Sequence, residues 1–172
     1  MYIIETERLR LRRLTEKDRS AVHSVLLDER IMNPMHLPAT EEFADGWLQR
    51  QIERYQTHGP ANWCAERRED GAFIGIIGLF LSEIRGAQCA ELGYLIHPDF
   101  QRQGYAYEGA QACMEYAFDV LRADYVTAAV AADNMPSILL TEKLGLLPIQ
   151  QKLYRQDGQD TLYIIYGINR PD

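Results

Sequence analysis

The chain reads as a mixed α/β domain: a mostly antiparallel central sheet with one parallel pair, flanked by about four helices. Three observations predict it. Apolar stretches of strand length recur between short turn signals, which favours hairpins. Longer stretches repeat apolar residues at helical spacing. Only one connection, the helix between the strands at 89–96 and 125–131, must cross over and so demands parallel pairing. The predicted order is one strand, two helices, three strands, a helix, a strand, a helix and two strands. That order excludes a doubly wound nucleotide fold.

Tyr2 to Leu14 holds Arg8-Leu9-Arg10-Leu11-Arg12, the alternation of a half-exposed strand, with the arginines on the wet face of an edge. Thr15 then opens a helix, with Asp18 completing a short capping box and Ala21, Val22, Val25 and Leu26 on one face. Two prolines between Asn33 and Pro38 break the regularity. Phe43, Trp47, Leu48, Ile52 and Tyr55 recur at helical spacing until His58-Gly59-Pro60. Asn62 to Arg68 and Ala72 to Ser82 form a hairpin about Glu69-Asp70-Gly71. Cys89 to Ile96 is the next strand, with Leu92, Tyr94 and Ile96 on one face. The helix from Gly104 to Leu121 carries small residues on one stripe, Ala106, Ala110, Cys113 and Ala117, which permit close approach to a sheet. Tyr125 to Ala131 is a short strand, and Asp133-Asn134-Met135-Pro136 starts a helix that ends at Leu144-Gly145. Leu147 to Tyr154 and Thr161 to Ile168 make a last hairpin about Asp157-Gly158.

At 172 residues the whole chain, 1–172, is read as one domain, long enough to bury a core. Every apolar run falls short of the roughly 18 residues a membrane span needs. A net charge of −7 argues against a nucleic-acid partner, which requires a basic face. Three scattered cysteines make neither a disulfide framework nor a zinc cluster, and His23, His36 and His58 have no ligand spacing, so no metal is expected. The expectation is a cytoplasmic protein with reduced thiols.

The informative stretch is Gln101-Arg102-Gln103-Gly104-Tyr105-Ala106, between a buried strand and a long helix. Glycine lets the backbone turn so that unpartnered helix N–H groups face an anion, helped by the macrodipole. This is the seat of a phosphate-bearing cofactor. A nucleotide-binding module could use the same turn, but the chain lacks a Rossmann acidic ligand and a P-loop lysine.

Thr6-Glu7-Arg8-Leu9-Arg10-Leu11-Arg12, Glu91-Leu-Gly-Tyr94 with His97-Pro98 and Gln101-x-x-Gly104-x-Ala106, and Asn134-x-x-Ser137 with Glu142-Lys143-Leu144-Gly145 stand in fixed order. Together they resemble the GNAT superfamily of N-acetyltransferases, and within it the RimJ/RimL-like branch that acetylates ribosomal-protein N-termini. The resemblance spans nearly the whole chain. It implies acetyl-CoA as acetyl-donor cosubstrate, its pyrophosphate on the backbone of Arg102, Gln103, Gly104, Tyr105 and Ala106, with Gln101 opening the motif. It implies a bulged, splayed strand whose Tyr94, Leu95 and Ile96 pair with the pantetheine arm, Asn134 bonding that arm, and Ser137 near the thiol. Two positions depart from the family pattern. Gln101 stands where arginine is also common, and Thr141 stands where a tyrosine often protonates the thiolate.

Acetyl transfer to an amine needs a base, because an alkylammonium with a pKa of about 10 is not nucleophilic. Glu91, on the strand that would carry the acetyl group, is the candidate base; otherwise it is a solvent-facing strand carboxylate. Ser137 is the candidate partner of the departing thiolate, against a capping role beside Pro136. Cys89 and Cys113 read as core residues. Met32 to Thr40, with Trp47 and Trp63, would face the acceptor, although Trp47 reads better as core. The expected acceptor is a primary amine: a protein or peptide N-terminus, or a small amine such as a drug or polyamine. A non-catalytic acyl-CoA sensor is the remaining alternative. The last hairpin, through Tyr163-Ile-Ile-Tyr166, offers an edge for a homodimer.

Overall fold

The computed structural model describes residues 1–57, 59–84, 86–156 and 158–171. The expected helix stop at His58 and part of the turn at Asp157 therefore lie outside the described residues. Eight strands form one sheet: β1 (Tyr2–Glu5), β2 (Leu9–Arg13), β3 (Asn62–Arg67), β4 (Phe73–Ile84), β5 (Ala87–Ile96), β6 (Tyr125–Ala131), β7 (Leu147–Gln156) and β8 (Gln159–Asn169). Their order in the sheet is β1-β2-β3-β4-β5-β6-β8-β7, and only β5 and β6 run parallel. The helices are α1 (Arg19–Leu26), α2 (Glu29–Met32), α3 (Glu41–Thr57), α4 (Tyr105–Asp119) and α5 (Met135–Lys143).

The architecture is the expected one, with corrections at the N-terminal end and in register. Tyr2 to Leu14 is two strands, not one: Thr6 closes a turn in which its N–H donates to the Leu9 carbonyl, and β1 folds back on β2. β2 is thereby interior, and its Arg10 and Arg12 are ordered by carboxylates. Arg12 reaches both Asp18 and Glu66. Burial by itself raises the Asp18 pKa, but the bonds from Arg12 and from the Thr15 amide and hydroxyl outweigh it, so the carboxylate is held below its usual range. That cluster caps a short 3₁₀ turn (Glu16–Asp18) ahead of α1. The four-residue α2 is too short to show periodicity in sequence. β8 lies between β6 and β7, so the free edge of the last hairpin belongs to β7 and not to Tyr163–Tyr166.

Two cores cover the two faces of the sheet. Leu9, Leu11, Ile77, Leu92 and Val126 pack with Cys113, Ala110 and Ala117 of α4. On the other face Val22, Val25, Leu26 and Leu48 of the α1–α3 layer pack on Cys64 and Ile76. The small-residue stripe does what its composition predicts. A Cβ added at Gly109 would lie 2.3 Å from Ile77 Cδ1, so α4 sits directly on β4. All three cysteines are buried, and burial pushes the Cys64 thiol up to about 12 and the Cys113 thiol well above its usual range.

The feature that positions the site is a division within the sheet. β5 pairs with β6 only through Cys89–Tyr125, Ala90–Val126 and Glu91–Thr127. Beyond Glu91, β5 stays with β4 up to Ile96–Gly75, while β6 stays with β8 up to Ala131–Tyr163. The right-handed twist of a sheet separates neighbours that are not held together. The β4–β5 register runs unbroken from Gly75–Ile96 to Ile84–Ala87, so the bulge expected in β5 is not seen in this pairing; the splay arises without it.

Candidate active site

The splayed strands wall a cavity of about 500 Å³, lined by Leu92 to Ile96 on one side and Ala128 to Ala131 on the other. The loop after β5 and the start of α4 close one end through Phe100, Gln101, Arg102, Gly104, Tyr105, Ala106 and Tyr107. Asn134, Pro136, Ser137 and Leu140 of the α5 region form another wall. Of the residues singled out from sequence, Tyr94, Leu95, Ile96, Gln101, Arg102, Gly104, Tyr105, Ala106, Asn134 and Ser137 meet here. Gln103 and Glu91 do not line it.

The loop is shaped as an anion seat. Arg102 (φ 59°) and Gly104 (φ 84°) are both left-handed, which gathers successive N–H groups on one concave side. Among the described residues the amides of Arg102 and Gly104 make no backbone hydrogen bond, the first amides of α4 have no partner in their own helix, and α4 has no side-chain N-cap. Three side chains hold the seat in shape. Arg8, read from sequence as a wet-face arginine, donates from Nη1 to the Gln103 carbonyl and from Nε to Glu108, and lies over the Tyr105 ring at 4.5 Å. Gln101 turns inward and donates to the Ile96 carbonyl, so its side chain braces the loop instead of reaching an anion. Gln103 donates to the Asp99 carbonyl outside the cavity.

Every charged side chain lining the cavity among the described residues is cationic: Arg30, Arg102 and Lys143. Arg30 is paired with Asp28, so Arg102 and Lys143 carry the excess charge; in a chain of net charge −7 that is a local reversal, and it fits a ligand with phosphate charges. Arg30 and Lys143 were not foreseen, because neither lies in a phosphate-binding motif. Lys143 stands 4.6 Å over the Tyr107 ring, fixed toward the α4 start.

At the α5 wall of the cavity, Asn134 caps α5, its Oδ1 accepting from the Ser137 amide at 3.4 Å. Ser137 Oγ lies 2.8 Å from the Tyr94 hydroxyl, which is also 3.3 Å from Thr141 Oγ1. Burial raises the Tyr94 pKa against the pull of these two bonds, so the phenol stays protonated at neutral pH. The strand phenol thus reaches the buried position of Thr141, which departs from the tyrosine often found there in the family that the motifs resemble. The alternation of β5 identified Tyr94 as inward-facing, but nothing local to it named a helix forty residues on as its partner.

Glu91 ends the paired segment of β5 and 6 and points to the opposite face. It walls a second cavity, about 650 Å³, with Phe80 and Ser82 of β4 and the C-terminal half of α3. It keeps solvent access, yet the surrounding protein raises its carboxyl pKa, with Arg54 and Lys152 pulling the other way. Glu91 therefore lines the second cavity at the end of the paired segment, while Ser137 lines the first. Of the loop expected to face the acceptor, Pro34 and Met35 line the first cavity, held there by the Tyr163 hydroxyl donating to the Met35 carbonyl. Neither tryptophan lines either cavity; Trp63 is core, edge-on to Tyr116.

Comparison with known proteins agrees with this geometry. The family described as Acetyltransferase (GNAT) domain matches residues 8–147. An uncharacterized N-acetyltransferase of Bacillus subtilis, YoaA, is 31% identical over 98% of this chain and 97% of its own. The acetyltransferase (GNAT family) structure from Bacillus anthracis superposes with a TM-score of 0.82 at 25% identity, covering 99% of both chains. A spermidine N-acetyltransferase from Vibrio cholerae, solved with CoA and spermine, shares the fold with a TM-score of 0.81 at 19% identity, over 96% of this chain and 97% of that one. The chain belongs to the GNAT superfamily of acetyltransferases, and is by that membership an acetyl-CoA-dependent acyltransferase.

Proposed function

We propose that the protein acetylates a primary amine directly, without a covalent acyl-enzyme. The acceptor class covers peptide N-termini, as in the RimJ/RimL-like branch its motifs resemble, and small amines. The observation that carries the proposal is the division of β5 from β6 immediately after Glu91. It leaves strand backbone available along one cavity, which also holds the glycine-turn loop and the Tyr94–Ser137 hydroxyl pair.

When bound, acetyl-CoA supplies the acetyl group as an activated thioester. Arg102 through Ala106 would bind its pyrophosphate through backbone amides, with Lys143 adding charge. The strand groups of Tyr94, Leu95 and Ile96 that face β6 would hold the pantetheine amides as an added strand would. Asn134 would orient that arm. Glu91 takes a proton from the ammonium, directly or through water, and its raised pKa makes it a better base than an ordinary carboxylate. Ser137 presents its hydroxyl to the leaving sulfur. Tyr94 acts behind it as a positioning residue, fixing the Ser137 rotor and holding a proton at its phenol oxygen.

Thiol release from acetyl-CoA against a panel of amines and short peptides tests this. The expected result is turnover with at least one primary amine, lowered by roughly 10²-fold in Glu91→Gln and by a smaller factor in Ser137→Ala. Unchanged turnover in both variants contradicts the residue assignment. CoA binding without turnover of any amine would make the protein an acyl-CoA sensor.

A further inference from the structure

The second cavity carries its own chemical signature. Arg50 and Arg54 stand one turn apart on α3, at a spacing where like charges repel, and both line the cavity. Among the described residues neither makes an ion pair, whereas Arg8, Arg10, Arg12, Arg19 and Arg67 each do. The Arg54 guanidinium lies over the Phe80 ring at 4.6 Å, which fixes its plane and leaves its N–H edge for a planar anion. Two acids share the wall. Glu53 is engaged by Gln49, whose side-chain amide donates to it at 3.1 Å. Glu91 is the base assigned above.

Resting on that acetyl-transfer reading, we propose that this cavity is the acceptor site and that the acceptor is a primary amine carrying a carboxylate. Glu91 meets the ammonium at the apex of the splay, and Arg50 with Arg54 takes the carboxylate. The two guanidiniums oppose a polyamine, whose further ammonium groups they would repel. In the step one C–N bond forms and one C–S bond breaks. Of the two protons the ammonium loses, one leaves through Glu91 to solvent and one ends on the thiol.

A free amino acid and a peptide with an acidic first residue offer the same pair of charges, so the test separates them. Thiol release is measured with matched acceptors that differ only in carboxylate against carboxamide, in a free-amino-acid arm and an Asp- or Glu-initiated peptide arm, beside a linear polyamine. In at least one arm the carboxylate acceptor should have a kcat/KM about tenfold or more above its amide. Arg50→Gln and Arg54→Gln should collapse that ratio toward one, and Arg54→Glu should turn the preference toward the polyamine. Because the readout is a ratio within each variant, partial loss of active protein does not mimic it. A wild-type ratio near one in both arms, or a wild-type preference for the polyamine, overturns the acceptor assignment while acetyl transfer stands. Silence with every amine overturns the acetyl-transfer reading and this assignment with it.

Discussion

At the scale of single residues, the chemistry depends on partners that sequence spacing does not name. Glu91, Asn134 and Ser137 were singled out because each sits in a motif whose residue types suit acyl transfer. Tyr94 was read as a strand residue on one face and, by resemblance, as part of the backbone that pairs with the pantetheine arm; its hydroxyl gains meaning from Ser137 and Thr141 across the cavity. Arg8 was misread for the same reason, since alternation assigns a face but not what crosses it. Tyr94→Phe keeps the ring and removes the proton. It should lower kcat by about 10-fold or more, less than a direct general acid would, and leave the acceptor KM nearly unchanged. An unchanged kcat would make Tyr94 a packing residue. Glu91 adds a pH signature. Its pKa is raised above the ordinary 4.5, and the base works only when ionised. Turnover should therefore fall as pH drops through that raised value, and Glu91→Gln should abolish this limb of the kcat profile.

At the scale of elements, the loop and α4 form one device. The glycine at 104 was predicted from the turn it must make, and its φ of 84° agrees. The left-handed Arg102 was not predictable, because arginine carries no preference for that conformation; the bond from Arg8 to the Gln103 carbonyl helps impose it. Gly104→Ala should cost about 1–2 kcal/mol from the left-handed backbone. The added Cβ would also lie 3.2 Å from Arg8 Nη2, disturbing the brace. Calorimetry should show CoA affinity weakened by about tenfold through misdirected amides. Thermal unfolding should shift by only a few degrees. Affinity equal to wild type would mean that the amides do not bind the pyrophosphate. The N-terminal hairpin and α2 escaped the sequence reading because both are shorter than the window in which periodicity becomes visible.

At the scale of the whole molecule, two cores cover the two faces of one sheet whose halves part between β5 and β6. α4 rests on β4, α1 and α3 cover the other face, and β5 and β6 stay each with its outer neighbour. The overall order of elements was legible because hairpins and a single crossover leave few topologies. The splay was not legible in spacing or periodicity and entered only through family resemblance, since it is a property of which neighbour each strand keeps. The reversal of charge along the cleft was invisible too, because Arg30, Arg102 and Lys143 are distant in sequence and converge only in the fold. The central claim is that this cleft is built for coenzyme A. The direct measurement is calorimetric titration of the native protein with CoA, ATP and NAD in parallel. Saturable CoA binding, weakening as salt screens the cationic lining, with ATP and NAD markedly weaker, is the result the structure predicts. Tight binding of ATP or NAD with none of CoA would contradict it.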